Sequence, residues 1–351
     1  MKILVIGPSW VGDMMMSQSL YRTLKAQHPD CVIDVMAPAW CRPLLELMPE
    51  VHSAIAMPIG HGRFALTERR ALGKQLQAEG YDQAIVLPNS FKSALIPFFA
   101  SIPTRTGWRG EMRYGLLNDL RVLDKAAFPL MVQRYVALAY DGQISRAEQL
   151  PAPLLWPKLV IEDTEIANTC AAFDLNDERQ AIGFCPGAEF GPAKRWPHYH
   201  YAALAEALIR QGYQVRLFGS AKDKDAGEQI ITSLPAELQE HCINLAGQTE
   251  LAQAVALIAD CQAVVSNDSG LMHVAAALGR PLVALYGPSS PDFTPPLSDK
   301  ATVLRLISGY HKVRKGNADA GYHQSLIDIT PQQVLDALQP LLSQEQAACA
   351  C

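Results

Sequence analysis

Four segments of the chain carry residue types that could do chemistry. The first, Gly7-Pro8-Ser9-Trp10-Val11-Gly12-Asp13, delivers one carboxylate to the head of a helical stretch. Asp13 can cap that helix by accepting its free N–H groups, or it can act as a general base toward an attacking hydroxyl. The two roles are compatible, because a helix start favours the ionised carboxylate that a base must begin as. The two glycines lack the Gly-x-Gly-x-x-Gly spacing of a dinucleotide fingerprint. The second segment, Pro186-Gly187-Ala188-Glu189-Phe190-Gly191-Pro192-Ala193-Lys194-Arg195-Trp196-Pro197, joins glycines that admit a ligand to the backbone with two cations. Lys194 and Arg195 can neutralise a diphosphate or stand as a solvated pair.

The third segment is Asn267-Asp268-Ser269-Gly270-Leu271-Met272-His273. Ser269 and Gly270 open a helix whose unpaired N–H groups and dipole suit an anion. His273 follows Gly270 by close to one turn, so its ring can face the same mouth or sit in the core. The fourth is a basic, aromatic run from Arg105 through Gly107, Trp108, Arg109 and Arg113 to Tyr114. With Arg63, Lys92 and Arg121 it forms a candidate patch for an anionic acceptor, or a solvated face.

Short apolar β-rich runs alternating with helical stretches must position these segments. Strands are expected at residues 3–6, 32–36, 54–57, 83–87 and 104–108, and again at 181–185, 214–218, 242–245, 263–266 and 282–286. Helical periodicity fills the gaps, as at 14–26, 64–79, 198–211 and 270–278. Uniformly apolar strands separated by helices are parallel strands buried on both faces. Two such series predict an α/β protein of two Rossmann-like, doubly wound domains facing across a cleft. The proline-dense Pro151-Ala152-Pro153-Leu154-Leu155-Trp156-Pro157 cannot be regular structure. It places the domains at 1–160 and 161–330, with a last helix over 331–345 that opens on a proline. Ligands of open parallel sheets bind beyond the carboxyl ends of strands, where all four segments lie.

Composition narrows the function. The 351 residues exceed the size at which single cores stop growing. A net charge of −5 offers no global field for nucleic acid. No signal-peptide pattern opens the chain and no apolar run of about 18 residues spans a membrane, so a cytoplasmic location is expected. The eight cysteines show no Cys-x-x-Cys or zinc spacing. Cys349 and Cys351 end a polar tail that could bind metal or lipid or simply fray. No Asp-x-Asp pair sits at a strand end, which predicts no metal in the site.

Together the four segments resemble the ADP-heptose:lipopolysaccharide heptosyltransferases of Gram-negative bacteria, over essentially the whole chain. The most specific part is Asn-Asp-Ser-Gly-Leu-Met-His followed by Val-Ala-Ala-Ala-Leu-Gly-Arg-Pro-Leu-Val-Ala-Leu-Tyr-Gly-Pro. The resemblance implies a GT-B fold with an acceptor-binding first domain, a donor-binding second domain and a C-terminal helix crossing back to the first. It implies ADP-heptose as donor, an anionic lipopolysaccharide inner-core acceptor, and no obligatory cofactor. Asp13 is then the general base. Lys194, Asp268, Ser269, Gly270 and His273 form the donor site, with Asp223 and Thr249 as further donor contacts. Relatives carry two threonines where this chain has Gly187 and Ala188, which leaves backbone N–H groups to meet the diphosphate. Arg63, Lys92, Arg105, Arg109 and Arg113 become the acceptor cluster, and the enzyme would touch the inner membrane peripherally. A diphosphate leaves readily once neutralised, so one carboxylate suffices for an inverting transfer where a glycosidase needs two. The rivals are a nucleotide-sugar 2-epimerase of the same architecture and a non-catalytic nucleotide-sugar sensor.

Overall fold

A computed structural model describes all residues except 61, 176–178, 190, 310–312, 314–315 and 350–351, and the side chains beyond 345. Cys351 and the Cys349 side chain therefore fall outside it. The chain divides into two compact units, Met1–Val160 and Ile161–Cys351.

The first unit holds β1 (Lys2–Ile6), β2 (Val32–Pro38), β3 (Ser53–Met57), β4 (Gln83–Val86), β5 (Thr104–Trp108) and β6 (Asp119–Arg121). They form one parallel sheet in the order β3-β2-β1-β4-β5-β6. The second unit repeats the plan with β7 (Ala181–Cys185), β8 (Gln214–Leu217), β9 (Cys242–Asn244), β10 (Ala263–Asn267), β11 (Leu282–Tyr286) and β12 (Ala301–Arg305). Its order is β12-β11-β10-β7-β8-β9, again all parallel. Both sheets reverse direction beside their first strand. The switch points therefore lie between β1 and β4 and between β7 and β10, where doubly wound sheets open a crevice for ligands.

The apolar runs read as central strands are buried on both faces, as in β7, β10 and β11. The two strands the pattern does not announce, β6 and β12, are edge strands. Asp119-Leu120-Arg121 is three residues long, and β12 is only partly buried, so neither needs a continuous apolar run. In the first unit Leu4, Ile6, Val86 and Ile96 share a core. The boundary has a physical cause. The Gln18 amide pairs twice with the Lys158 backbone, at 2.7 and 2.9 Å, and Arg22 donates to the Trp156 carbonyl. The proline-rich segment is thereby pinned to the first unit until residue 160.

The last helix, Pro331–Cys349, packs within the second unit. Its Val334, Leu338 and Leu342 are built into the core of the second unit with Leu204, Leu208 and Leu285. Glu345 adds ion pairs to Lys300 at 2.9 Å and Arg280 at 3.5 Å, also in that unit. A helix whose apolar stripe is buried this way belongs to the second unit.

Candidate active site

In the second unit, the loops after β7 and β10 meet at the switch point. Asn267, fully buried at the end of β10, ties them together. Its Oδ1 accepts from the Trp196 backbone N–H at 3.0 Å and the Tyr201 hydroxyl at 3.2 Å, while its Nδ2 donates to the Pro186 carbonyl at 2.7 Å. Trp196 in turn donates its indole N–H to the Ile329 carbonyl at 2.8 Å. These contacts hold the short turn Pro192–Lys194 so that Lys194 Nζ lies 2.6 Å from Asp268 Oδ2. The motifs contain Asn267 and Trp196, yet residue type and spacing assign them no role. The available signal was a polar amide at the end of an otherwise apolar strand, since buried amides are kept only when satisfied.

Asp268 leads into the helix Gly270–Ala277. Ser269 occupies the N-cap with extended backbone, yet its hydroxyl turns to Ser266 Oγ at 3.2 Å and does not cap. The first-turn N–H groups thus keep no side-chain cap and remain available to an anion. His273 is buried, and desolvation pushes its imidazole down to about 4 against the opposing pull of Asp268. At neutral pH it is an uncharged ring beside the Lys194–Asp268 pair and cannot serve as a cation for phosphate.

Other donor candidates take different places. Gly187 must be glycine, because a Cβ there would come within 2.6–2.7 Å of the Asp223 carboxylate. Asp223 itself is buried and accepts from Ser220 N–H at 3.0 Å, Ser220 Oγ at 2.8 Å and Arg195 at 3.0 Å. Asp223 is occupied in holding loops and pairs with Arg195, while Lys194 pairs with Asp268 beside the helix start. Ala188 is buried next to Gly187, and Thr249 lies partly exposed in the turn after β9.

In the first unit, Asp13 is the third residue of the helix Val11–Gln27, whose N-cap is Trp10 and whose start has no side-chain cap. The Asp13 carboxylate makes no hydrogen bond or ion pair to a described residue, so the capping role is not taken up. Burial alone raises its carboxyl from 3.8 to about 6. The direction is opposite to the depression a helix start would cause, because desolvation outweighs the dipole here. A carboxylate without partners at the switch point, titrating near neutrality, is suited to take a proton.

The basic cluster divides. Arg113 is fully buried and donates to the carbonyls of Pro88 and Trp108 and to Ser93 Oγ. It cannot reach an acceptor, and burial pushes its guanidinium down to about 10. Arg105 is taken up by the carbonyls of Leu116 and Ile102, at 2.6 and 2.5 Å. Arg121 pairs with Asp119 at 2.6 Å, and exposed Arg63 with Glu68 at 2.8 Å. Lys92 and exposed Arg109 make no side-chain ion pair to a described residue, and they remain the cations available to a ligand.

Two doubly wound units in one chain, each with its chemistry at the switch point, define the GT-B class of glycosyltransferase. Within that class the chain belongs to glycosyltransferase family 9 (heptosyltransferase), whose profile matches residues 69–323. It is 72% identical over 348 residues to lipopolysaccharide heptosyltransferase 2 of Escherichia coli (strain K12), covering 99% of this chain and 100% of that one. It is 64% identical to lipooligosaccharide heptosyltransferase 2 of Haemophilus influenzae, over 98% of this chain and 100% of the relative. The solved structure of E. coli ADP-heptose lps heptosyltransferase II superposes with a TM-score of 0.92 at 67% identity, over 99% of this chain and all of that one.

Proposed function

We propose that this enzyme transfers L-glycero-D-manno-heptose from ADP-heptose to the first heptose of the lipopolysaccharide inner core, with inversion at the anomeric carbon. Heptose transfer onto the inner core follows from near-full-length identity to heptosyltransferases 2. The observation that carries the mechanism is the Asp13 carboxylate, partnerless among the described residues and raised to about 6. Asp13 takes the proton of the acceptor hydroxyl as its oxygen attacks the anomeric carbon and the bond to ADP breaks. Lys194 and the first-turn N–H groups of the helix Gly270–Ala277 neutralise the charge arriving on the diphosphate. Gly187 and Ala188 supply backbone approach, Asp268, Ser269 and His273 line the donor turn, and Thr249 lies toward the nucleoside. Lys92 and Arg109 receive the anionic acceptor.

Lys194 and the helix start supply the positive partner that a metal gives other transferases, so turnover should need none. Full activity in excess EDTA supports this; loss restored by Mg²⁺ refutes it. The described residues include no helix long and apolar enough to cross a membrane. A lipid-borne acceptor then implies peripheral contact with the cytoplasmic face of the inner membrane. The deciding assay is ADP release from ADP-heptose with and without a heptose-terminated lipopolysaccharide core. Transfer requires acceptor-dependent release. Donor turnover without acceptor would indicate a 2-epimerase, and binding without turnover a sensor.

A further inference from the structure

The loop between β5 and β6 buries and exposes the wrong residues for an ordinary surface loop. Across residues 109–115 the buried side chain is a charged one, Arg113, while its apolar neighbours Met112 and Tyr114 are 73% and 61% exposed; the apolar side chain the loop does bury, Leu117, lies nearer β6. The backbone is shaped to keep it so. Met112 has φ +54, a left-handed conformation that a side chain disfavours, and it lies between Gly110 at φ +52 and Gly115 at φ +76. Gly110 presses so closely on the Asn89 carbonyl that a Cβ would sit 2.3 Å from it. Beneath, Arg113 anchors the loop through Pro88, Trp108 and Ser93. The neighbouring loop after β4 is stitched on by Glu111 N–H to the Asn89 carbonyl at 3.0 Å and by Phe91 N–H to Glu111 Oε2 at 2.8 Å. That second loop contributes Phe91, 38% exposed, and Lys92. Arg109 projects from the same edge, and the Glu111 carboxylate is occupied by the Phe91 N–H.

A rigid loop that holds backbone strain to present Met, Tyr and Phe, beside two cations with no ion partner among the described residues, matches one environment well. Apolar and aromatic side chains favour the interfacial zone of a bilayer, and flanking Lys and Arg favour anionic headgroups. We infer that the 109–115 loop, together with Phe91 and Lys92, docks on an anionic lipid surface. Met112, Tyr114 and Phe91 enter the interface while Arg109 and Lys92 meet its phosphates. The inference rests on the reading that the acceptor is lipid-borne, and it deepens that reading by naming the surface that meets the membrane.

The test is co-sedimentation of the full chain with vesicles of phosphatidylglycerol and phosphatidylethanolamine, against vesicles of phosphatidylcholine alone. Wild type should bind the anionic vesicles more tightly, and less so at high salt. Met112→Gly and Tyr114→Ser should each lose about tenfold in vesicle affinity, the loss expected for one apolar side chain kept in water. Glycine suits φ +54, so Met112→Gly should melt no lower than wild type, which separates lost binding from lost fold. Both variants should keep the wild-type KM for a fully deacylated, water-soluble core acceptor. Unchanged vesicle binding in both variants would overturn the inference. So would a matching rise in KM for the deacylated acceptor, since the loop would then read sugar or be covered by another surface of the chain. Absence of acceptor-dependent ADP release by wild type would sink the transferase reading instead, and the vesicle result would stand by itself.

Discussion

Replacing Asp13 by asparagine should cut turnover sharply and stabilise the protein at the same time. The native carboxyl is raised from 3.8 to about 6 by burial. A folded state that holds this proton more tightly than the unfolded chain gains stability from the group below pH 3.8. That contribution is lost as pH rises through about 6. A rise of this size corresponds to at most ~3 kcal/mol. Asp13 is only partly buried, so about 1–2 kcal/mol is the cost expected at a pH of roughly 7.5. Asparagine keeps the shape and carries no charge. The variant should therefore melt about 3–6 °C higher at that pH, with the advantage roughly halved by about pH 5. Turnover should fall about 10²-fold or more. For wild type, kcat/KM for the acceptor should drop about tenfold per unit of pH below about 6. Thermal melts across roughly pH 5–8 and a coupled ADP-release assay read both effects. A variant that melts lower at every pH would show that the buried charge costs the fold nothing, and near-normal turnover would remove Asp13 from catalysis.

Lys194→Ala should raise the donor KM and lower kcat, because the diphosphate loses its cation in ground and transition states alike; unchanged ADP affinity by calorimetry would put Lys194 outside the site. Asn267→Ala leaves the Trp196 N–H and Pro186 carbonyl buried without the partners they have in wild type. It should cost about 1–3 kcal/mol and weaken donor binding, and a melt matching wild type would show that the loops are held elsewhere. Arg109→Gln should raise the acceptor KM several-fold and flatten its rise with ionic strength, since exposed contacts are screened beyond about 8 Å at physiological salt. Arg113→Met should do the reverse, destabilising by about 2–4 kcal/mol while sparing the acceptor KM of the folded fraction; a salt-dependent KM effect would refute its assignment as an anchor.

The sheets were legible because parallel strands buried on both faces must be largely apolar, and β1, β7, β10 and β11 are. Edge strands escape that rule, which is why β6 and β12 were silent. The switch-point loops were legible as well, since Asp13, Lys194 and the Ser269–Gly270 helix start all follow strands. What could not be read was which charges already had partners. Arg113 and Arg109 look alike in sequence, four residues apart, yet one is fully buried and bonded to the Trp108 carbonyl while the other stands in solvent. Lys194 and its neighbour Arg195 likewise look alike, yet they pair with different carboxylates, Asp268 and Asp223, 74 and 28 residues away. The sign of the Asp13 shift was hidden for a related reason. Local position argues for depression, and only the packed surroundings reveal the larger desolvation.

The 2.6 Å contact between Lys194 and Asp268 gives the donor turn a counter-ion of its own before any ligand arrives. A lysine left bare would attract any abundant anion, and orthophosphate would compete with the sugar nucleotide for it. With Asp268 in place, an incoming ligand must displace a carboxylate at contact distance. A single small anion gains little by that exchange, whereas a diphosphate can draw on Lys194 and the helix N–H groups together. The pair thus acts as a threshold that filters ligands by charge and reach before any sugar is inspected. Orthophosphate should accordingly inhibit weakly, and Asp268→Asn should make it a markedly better competitor. Equal inhibition of both proteins would mean that the threshold does not exist.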